Sequence, residues 1–185
     1  MEIFEGCEKR RFENKIITDY SKLAMVVKGL QTVNFKVITT IGSWDLLHIG
    51  HVRYLIKAKL QGDVLVVGVD TDRAINLYKG EFRPIVPQNE RMEMLTYQMP
   101  VDFITLIDDV DKEGLWRCGL IKEIQPDIFV AVEGSYPNDQ LDEIKKYCSK
   151  LVVLPRQAEN TSTSRMIQNT VKKHLDKMYK LVEEL

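Results

Sequence analysis

Two of the chain's three histidines, His48 and His51, stand three residues apart in an H-x-G-H spacing. A β-branched run precedes them and a segment of helical periodicity follows, so both are expected at the start of a helix. Residues three apart share one face of a helix, and the free N–H groups of a first turn favour anions. The spacing therefore predicts a pair that grips a phosphate, with Gly50 leaving room for a nucleotide against the backbone.

Two other interpretations of these histidines stay open. A pair at this spacing can bind zinc, but no third ligand of suitable type lies nearby in the sequence. The histidines can also be unrelated structural residues. The third histidine, His174, lies among lysines in a helical segment and is expected to be solvated. The sequence predicts no protein-held metal site.

The elements that must position the histidines follow one repeating pattern. From residue 36 onward, short β-branched runs alternate with longer segments of helical spacing, which is typical of a parallel sheet with helical crossovers. The second run has no polar alternation, so it is expected to be covered on both faces near the sheet centre. Ligands of such sheets bind outside the C-terminal ends of the strands. The predicted strands are Lys36–Ile41, Val64–Val69, Phe103–Ile107, Ile128–Val132 and Leu151–Leu154.

Apolar stripes at three- or four-residue spacing predict the helices. The crossover stripes are Val52, Leu55 and Ile56; Met92, Leu95 and Met99; and Leu141, Ile144 and Cys148. Flanking stripes are Leu23, Val26, Val27 and Leu30, then Ile167, Val171, Leu175, Met178 and Val182. We expect an α/β fold, a Rossmann-like doubly wound parallel five-stranded sheet, in a single domain 1–185. Its core covers about 36–165, with flanking helices at about 19–32 and 164–184.

The composition argues against several classes of protein. The formal net charge is −1 and no block of like charges appears, which argues against nucleic-acid and membrane-surface partners. The charged N-terminal residues lack a signal-peptide apolar core, and no apolar run is long enough to span a bilayer, so a soluble cytoplasmic protein is expected. Cys7, Cys118 and Cys148 are widely spaced, which suggests buried thiols rather than disulfides or a zinc cluster.

A longer motif surrounds the histidines. Gly42, Trp44, Asp45, Leu47, His48, Gly50, His51, Val52, Tyr54 and Leu55 follow the order G-x-F-D-x-L-H-x-G-H-V-x-Y-L, and Gly62–Val69, Lys79-Gly80, Arg83-Pro84-Ile85 and Glu90-Arg91 come after them. Over nearly its whole length the chain resembles the H-x-G-H nucleotidyltransferases of the cytidylyltransferase-like branch, with the HIGH-superfamily fold. It looks most similar to bacterial heptose 1-phosphate adenylyltransferases. Glycerol 3-phosphate and choline phosphate cytidylyltransferases share the same skeleton.

The resemblance implies transfer of AMP or CMP from ATP or CTP to a phosphorylated sugar or polyol, with release of pyrophosphate. Mg²⁺ accompanies the nucleotide, and a homodimer is expected. The acceptor phosphate attacks the α-phosphorus in line, so neither a covalent intermediate nor a general base is needed. Two alternatives stay open: a non-catalytic nucleotide-binding regulatory relative, and a cytidylyltransferase of the glycerol 3-phosphate type. An NAD-dependent oxidoreductase should show G-x-G-x-x-G, which is absent.

The resemblance also assigns residues. The catalytic residues implied are His48, His51 and Lys79. Those implied for the nucleotide are Gly42, Ser43, Trp44, Gly50, Arg91, Arg156, Ser162, Thr163 and Ser164. Those implied for the acceptor are Asp45, Arg83, Ser135 and Tyr136. Structural alternatives are a solvated loop lysine for Lys79, a surface salt bridge for Arg91 and a helix cap for the hydroxyl cluster.

The chain departs from the family pattern in the segment after the fourth strand. The family's lysine-glycine-glycine-aspartate-tyrosine appears here as Val132-Glu133-Gly134-Ser135-Tyr136. The missing lysine and aspartate predict an acceptor other than heptose phosphate. Trp44 replaces the usual phenylalanine, and Arg156 lies one residue farther from the hydroxyl cluster than in cytidylyltransferases. The choice between ATP and CTP and the pathway are left open by the sequence.

Overall fold

The computed structural model describes residues 12–183, so Cys7 and the N-terminal charged residues lie outside the described part of the chain. All five predicted strands are confirmed to within a residue at either end. They are β1 (Val37–Gly42), β2 (Val64–Asp70), β3 (Phe103–Ile107), β4 (Ile128–Val132) and β5 (Lys150–Leu154). Their β-branched and aliphatic residues pack on a sheet that is covered on both faces.

The sheet is parallel, with strand order β3-β2-β1-β4-β5. The chain winds outward from β1 to β3, then crosses to the other side for β4 and β5, which confirms the Rossmann-like doubly wound prediction. β1 is the central strand and β2 lies beside it, with all seven residues of β2 buried. The order reverses at β1, so the carboxyl end of β1 is the expected place for a ligand.

The helices are α1 (Tyr20–Thr32), α2 (Ile49–Lys59), α3 (Asp72–Lys79), α4 (Gln88–Thr96), α5 (Gly119–Ile124), α6 (Asn138–Lys145) and α7 (Thr163–Glu183). Helices α3 and α5 were not predicted. Helix α3 matters because Lys79, for which a solvated loop lysine was the structural alternative, is its last residue. Its start is capped by Thr71, whose hydroxyl accepts the N–H of Ala74.

The apolar stripes were only partly right. Helix α2 buries Tyr54, Leu55 and Ala58, whereas Ile56 is 41% exposed. Met99 and Cys148 lie beyond the ends of α4 and α6, so neither extends its helix. A 3.6-residue period predicts which helix face is apolar but not where the helix ends.

Two apolar clusters pack against the sheet. Helices α1 and α5 contribute to one, which includes Leu23, Leu120, Phe129 and Trp116. Helices α2 and α4 contribute to the other, which includes Trp44. Trp44 and Trp116, both at the carboxyl edge of the sheet, therefore pack in different clusters.

The C-terminal helix carries its predicted stripe on the surface. Val171, Leu175 and Met178 are each about half or more exposed, and the side chain of Val182 lies outside the described part. Within residues 12–183, no helix combines the length and hydropathy needed to cross a bilayer.

Candidate active site

The loop between β1 and α2 has an unusual backbone. Trp44 and Leu46 lie in the left-handed region, with φ values of 53° and 46°. Bulky side chains rarely adopt this conformation, and such residues cluster at functional sites. The indole N–H of Trp44 donates to the carbonyl of Gly68 at 2.8 Å, so the tryptophan anchors the loop on β2. The anchor positions the histidines that follow.

His48 and His51 form a reciprocal cap at the start of α2. His48 is the N-cap residue, and its Nδ1 accepts the N–H of Gly50 at 3.1 Å. The N–H of His48 donates in turn to Nδ1 of His51 at 3.3 Å. The two rings stack with centroids 4.0 Å apart. A glutamate or glutamine usually fills the place that His51 takes in such a capping box.

Both imidazoles are disposed to be neutral. Burial lowers the pKa of His51 to about 4, and the charges of a protonated His48 and of Lys79 would lower it further. Burial also lowers the pKa of His48. Because each Nδ1 accepts a backbone N–H, the single proton of each neutral ring must lie on Nε2. The pair therefore offers two Nε2–H donors that can bind phosphate oxygens.

Gly50 is required by the local packing. A Cβ at this position would come within 2.9 Å of Cε1 of His48 and 3.0 Å of Cβ of Ala158. The first contact is shorter than real Cβ atoms show and the second is very tight, so a side chain would displace the His48 ring or press on the segment after β5. The predicted contact between Gly50 and a nucleotide stays a prediction.

A cleft of about 920 Å³ opens at the carboxyl edge of the sheet, where the histidine loop meets segments that follow the other strands. It brings together most of the predicted site residues: Gly42, Ser43, Trp44, His48, Gly50, His51, Lys79, Arg83, Ser135, Tyr136, Arg156, Ser162, Thr163 and Ser164. Asp45 and Arg91 are not among the lining residues.

Basic side chains from separate segments line this cleft, namely Lys79, Arg83, Arg156 and Arg165. Nζ of Lys79 donates to the hydroxyl of Ser43 at 2.7 Å. Burial lowers the pKa of Lys79, and the nearby guanidinium of Arg83 lowers it further. Four positive side chains around one cleft would favour a bound polyanion.

The start of α7 faces the same cleft. The hydroxyl of Ser162 accepts the N–H of Arg165 at 3.2 Å, which makes Ser162 a helix cap. The hydroxyl of Thr163 donates to the carbonyl of Asp45 at 2.7 Å, so it ties α7 to the histidine loop. Ser164 lines the cleft. The cluster therefore caps the helix and also presents a helix N-terminus where a phosphate can bind.

Asp45 is fully buried. Its carboxylate accepts Nε–H of Arg83 at 2.7 Å and the N–H groups of Ile85 and Val86 at 3.1 and 3.0 Å. Burial alone would raise the pKa of Asp45, but the N–H groups of Val86 and Ile85 and the Arg83 guanidinium outweigh it, and the pKa is lowered. Asp45 thus joins the histidine loop to the segment after α3. Its predicted contact with the acceptor stays a prediction.

Arg91 is enclosed by protein groups, and its side chain has no exposed surface. Its guanidinium donates to the carbonyls of Val86, Ser43 and Asp70 and to the carboxylate of Asp72. The structure thus gives Arg91 a buried clamping position, unlike the surface salt bridge weighed from sequence. Its predicted contact with the nucleotide stays a prediction.

The sequence interpretation missed several cleft residues. Asp70, the last residue of β2, lines the cleft. Tyr78 and the 110–116 segment, which contributes Leu115 and Trp116, also line it. Asp70 could have been found, because it is a polar residue at the carboxyl end of a buried strand. The 110–116 segment carries no motif, so only the fold reveals its position.

Comparison with known proteins identifies a family. The profile described as Cytidylyltransferase-like matches residues 39–177, a span that contains every predicted site residue. Among curated proteins, the chain is 32% identical over 169 residues to the bifunctional protein HldE of a Nitratiruptor species, covering 91% of this chain and 35% of the relative. It is 38% identical over 158 residues to the bifunctional protein HldE of Helicobacter hepaticus, covering 85% and 30%. The chain spans about a third of the length of these relatives.

Solved structures agree on the fold. A lipopolysaccharide core biosynthesis protein from Thermoplasma volcanium is 28% identical and superimposes with a TM-score of 0.57, covering 68% of this chain and 100% of that protein. A pantoate-beta-alanine ligase from Francisella tularensis is 15% identical and has a TM-score of 0.57, covering 78% and 67%. The similarity to the pantoate-beta-alanine ligase shows only that the fold is shared.

Proposed function

The chain belongs to the cytidylyltransferase-like family, and from this premise we propose that it transfers the AMP or CMP group of ATP or CTP to a phosphorylated sugar or polyol. Pyrophosphate is the second product. The proposal concerns this nucleotidyl transfer alone, because the chain spans about a third of the bifunctional relatives. Those relatives and the lipopolysaccharide core biosynthesis protein favour a sugar phosphate as the acceptor.

The observation that carries the proposal is the neutral histidine pair. The Nε2–H groups of His48 and His51 are preorganised, because each Nδ1 is occupied by a backbone N–H. Donors fixed before the reaction stabilise charge that develops on the α-phosphate without having to reorient. In-line transfer needs positioning and charge stabilisation more than covalent chemistry.

The remaining cleft residues suggest where each substrate lies. The triphosphate extends from the histidine pair to the start of α7, where Arg156, Ser162 and Ser164 bind its outer phosphates. Lys79 and Arg83 neutralise the charge where the acceptor phosphate meets the α-phosphate. The acceptor phosphate is ionised at neutral pH, so it attacks without a general base.

Mg²⁺ enters with the nucleotide as part of the substrate complex. Within residues 12–183, no group of three or more histidine, cysteine or acidic side chains is placed to hold a metal. Mg²⁺ usually keeps several waters and binds through one or two carboxylates together with substrate phosphates, rather than in a cage of protein ligands. We also propose that the protein acts in the cytoplasm as a homodimer.

A pyrophosphate-release screen tests the proposal. Each of the four common nucleoside triphosphates is offered with a panel of sugar and polyol phosphates, and the double variant His48→Ala/His51→Ala serves as the blank. We expect release with ATP or CTP and at least one acceptor, and none from the double variant. Calorimetry on the same protein separates the alternative: a regulatory relative would bind nucleotide but release no pyrophosphate with any acceptor.

A further inference from the structure

Asp70 holds a buried carboxylate at the edge of the cleft. It is the last residue of β2, is 9% exposed and lines the cleft. The hydroxyl of Tyr78 donates to its Oδ2 at 2.6 Å. Among the residues that the structure describes, Oδ1 of Asp70 has no hydrogen-bond partner. Tyr78 therefore holds Oδ2 of the carboxylate in place, whereas Oδ1 is available to a ligand.

Oδ1 of Asp70 is open to the cleft, because the buried side-chain oxygens without a partner in the described part of the chain are Oγ1 of Thr39 and Oγ1 of Thr105. An accessible carboxylate oxygen on an otherwise buried side chain can accept a hydrogen bond from a ligand without first losing a protein partner. Burial raises the pKa of Asp70. The hydrogen bond from Tyr78 and the nearby charge of Lys79 offset only part of this rise. Because the oxygen belongs to a residue that lines a large cleft, a bound ligand is the simplest partner.

Tyr136 brings a second polar group to the same part of the cleft. Its ring packs edge-on against Phe129, with centroids 6.0 Å apart, and lies 6.4 Å from the ring of Trp116. Within the described part of the chain, its hydroxyl has no hydrogen-bond partner. Burial raises its pKa. The 110–116 segment links Tyr136 to Asp70, because Gly114 lies against Tyr78, which binds Asp70, and Trp116 lies beside Tyr136.

We propose that Asp70 and Tyr136 form a subsite that recognises a hydroxyl group of the acceptor. Oδ1 of Asp70 accepts a hydrogen bond from the acceptor hydroxyl, Tyr136 contacts the same hydroxyl or its neighbour, and Tyr78 orients the carboxylate. An ionised carboxylate only accepts hydrogen bonds, so the subsite selects a donor group. This inference rests on the proposed function and specifies its acceptor as a polyhydroxylated phosphate.

The carboxylate of Asp70 lies away from the proposed triphosphate site, and Tyr136 lies between the two. Asp70 is the last residue of β2 and the start of α7 follows β5, on opposite sides of the central β1, whereas Tyr136 follows β4, the strand between β1 and β5. The rings of Trp116 and Phe129 stack behind Tyr136 with centroids 5.9 Å apart, which fixes the tyrosine. Gln140 donates to the carbonyl of Trp116 at 2.9 Å and holds this wall in place.

Kinetics of Asp70→Asn test the assignment. Loss of a hydrogen bond to a charged group should raise KM for the acceptor about 10- to 100-fold, while KM for the nucleotide and the dependence on Mg²⁺ stay unchanged. Tyr78→Phe should raise the acceptor KM less than Asp70→Asn does, because the carboxylate loses the hydrogen bond that orients it but is still present. Asp108→Asn is the matched control, since Asp108 follows β3, is half-exposed and does not line the cleft.

A binding experiment gives a second readout that needs no turnover. Glycerol 3-phosphate, glucose 1-phosphate and the hydroxyl-free probe ethyl phosphate are titrated calorimetrically with a non-hydrolysable ATP or CTP analogue present. Wild type should prefer a hydroxylated probe over ethyl phosphate, and Asp70→Asn should lose that preference while Asp108→Asn keeps it.

The outcomes distinguish failure of the proposed function from failure of the proposed subsite. Absence of pyrophosphate from wild type with every acceptor would refute the proposed function, and the titrations would still decide the subsite. Three results overturn the subsite: wild type has no preference, Asp70→Asn keeps the preference, or Asp70→Asn instead weakens nucleotide binding or shifts the Mg²⁺ requirement. The last result would assign the carboxylate to the metal ion.

Discussion

The backbone N–H of His48 donates to Nδ1 of His51, and the two imidazoles stack with centroids 4.0 Å apart. The same two side chains therefore begin helix α2 and face the cleft. A capping box made from histidines fixes which ring nitrogen is protonated, because the backbone occupies the other. Local folding of the helix thus prepares the proposed phosphate donors.

Removal of either histidine should reduce turnover sharply. Loss of one preorganised donor to a transition-state charge costs about 2.7–4 kcal/mol, so His48→Ala and His51→Ala should each lower kcat about 10²- to 10³-fold. Loss of the cap should cost about 1 kcal/mol of stability and leave the fold intact. Pyrophosphate release and circular dichroism measure both effects, with His174→Ala, exposed on α7, as the control. Near-normal turnover in both variants would contradict the assigned roles.

Stability should depend on pH through His51. Its pKa is lowered from 6.5 to about 4 in the folded protein, so between these values the unfolded chain binds more protons. The free energy of unfolding should therefore be flat above about pH 6.5 and fall by roughly 2–3 kcal/mol as the pH approaches 4. Urea unfolding at about pH 7.5 and about pH 4.5 measures the change.

The variant His51→Ala provides the comparison for this effect. It should show a smaller loss of stability on acidification than wild type, whereas His174→Ala should behave like wild type. If His51→Ala keeps the full acid-dependent loss, other groups cause it and the buried neutral state of His51 is wrong.

Much of the fold follows from sequence pattern, and particular residues show why. The run at Val64 to Val67 has no polar alternation, and β2 is buried throughout. The position of Lys79 was missed, because α3 is a short helix whose start depends on the cap at Thr71 rather than on an apolar stripe. Periodicity detects helices that bury a long face and overlooks those defined by their ends.

The sequence predicted which residues gather at the cleft, whereas their roles toward substrates stay predictions. His48, Lys79 and the hydroxyl cluster line one cleft, as the motif implied. Asp45 and Arg91 were expected to face substrates, yet both are buried among backbone groups that they hold in place. A sequence shows that a charge is present, but only the packing around it shows whether the protein itself neutralises it.

Activity should require Mg²⁺ or a similar hard divalent ion supplied with the nucleotide. The ion would bridge phosphate oxygens, so dialysed protein should regain full activity when Mg²⁺ and nucleotide are added together. Turnover is measured across a Mg²⁺ series and in excess chelator, with the metal content of the dialysed protein determined separately. Full activity in excess chelator, or stoichiometric zinc in the purified protein, would contradict the prediction.

The substrates should be ATP or CTP and an acceptor other than heptose 1-phosphate. Val132 or Glu133 stands where the family motif has its lysine, and Ser135 stands where it has its aspartate; Val132 and Ser135 line the cleft. Sites built to hydrogen-bond a substrate lose discrimination sharply when those partners change. Calorimetry with the four nucleotides and turnover with heptose 1-phosphate beside other sugar phosphates test both halves. Preference for GTP or UTP would refute the first, and efficient use of heptose 1-phosphate the second.

Arg91 should prove essential for stability. Its side chain is fully buried and donates to the carbonyls of Val86 and Asp70 at 2.9 and 2.8 Å and to the carboxylate of Asp72 at 2.7 Å. Arg91→Ala would leave these acceptors unpaired, so the free energy of unfolding should fall by about 3–5 kcal/mol and the melting temperature by roughly 10 °C. Thermal unfolding followed by circular dichroism measures the change.

The matched control for Arg91 is Arg73→Ala. Arg73 also pairs with an aspartate, Asp108, but both side chains are more than half exposed, so its loss should cost no more than about 1 kcal/mol. Nucleotide affinity is measured by calorimetry well below the melting temperature of each variant. If Arg91→Ala keeps wild-type stability but loses nucleotide binding, Arg91 contacts the nucleotide directly and the clamp is wrong. Loss of stability with nucleotide binding retained in the folded protein would establish the clamp, because a direct phosphate contact could not be removed without weakening binding.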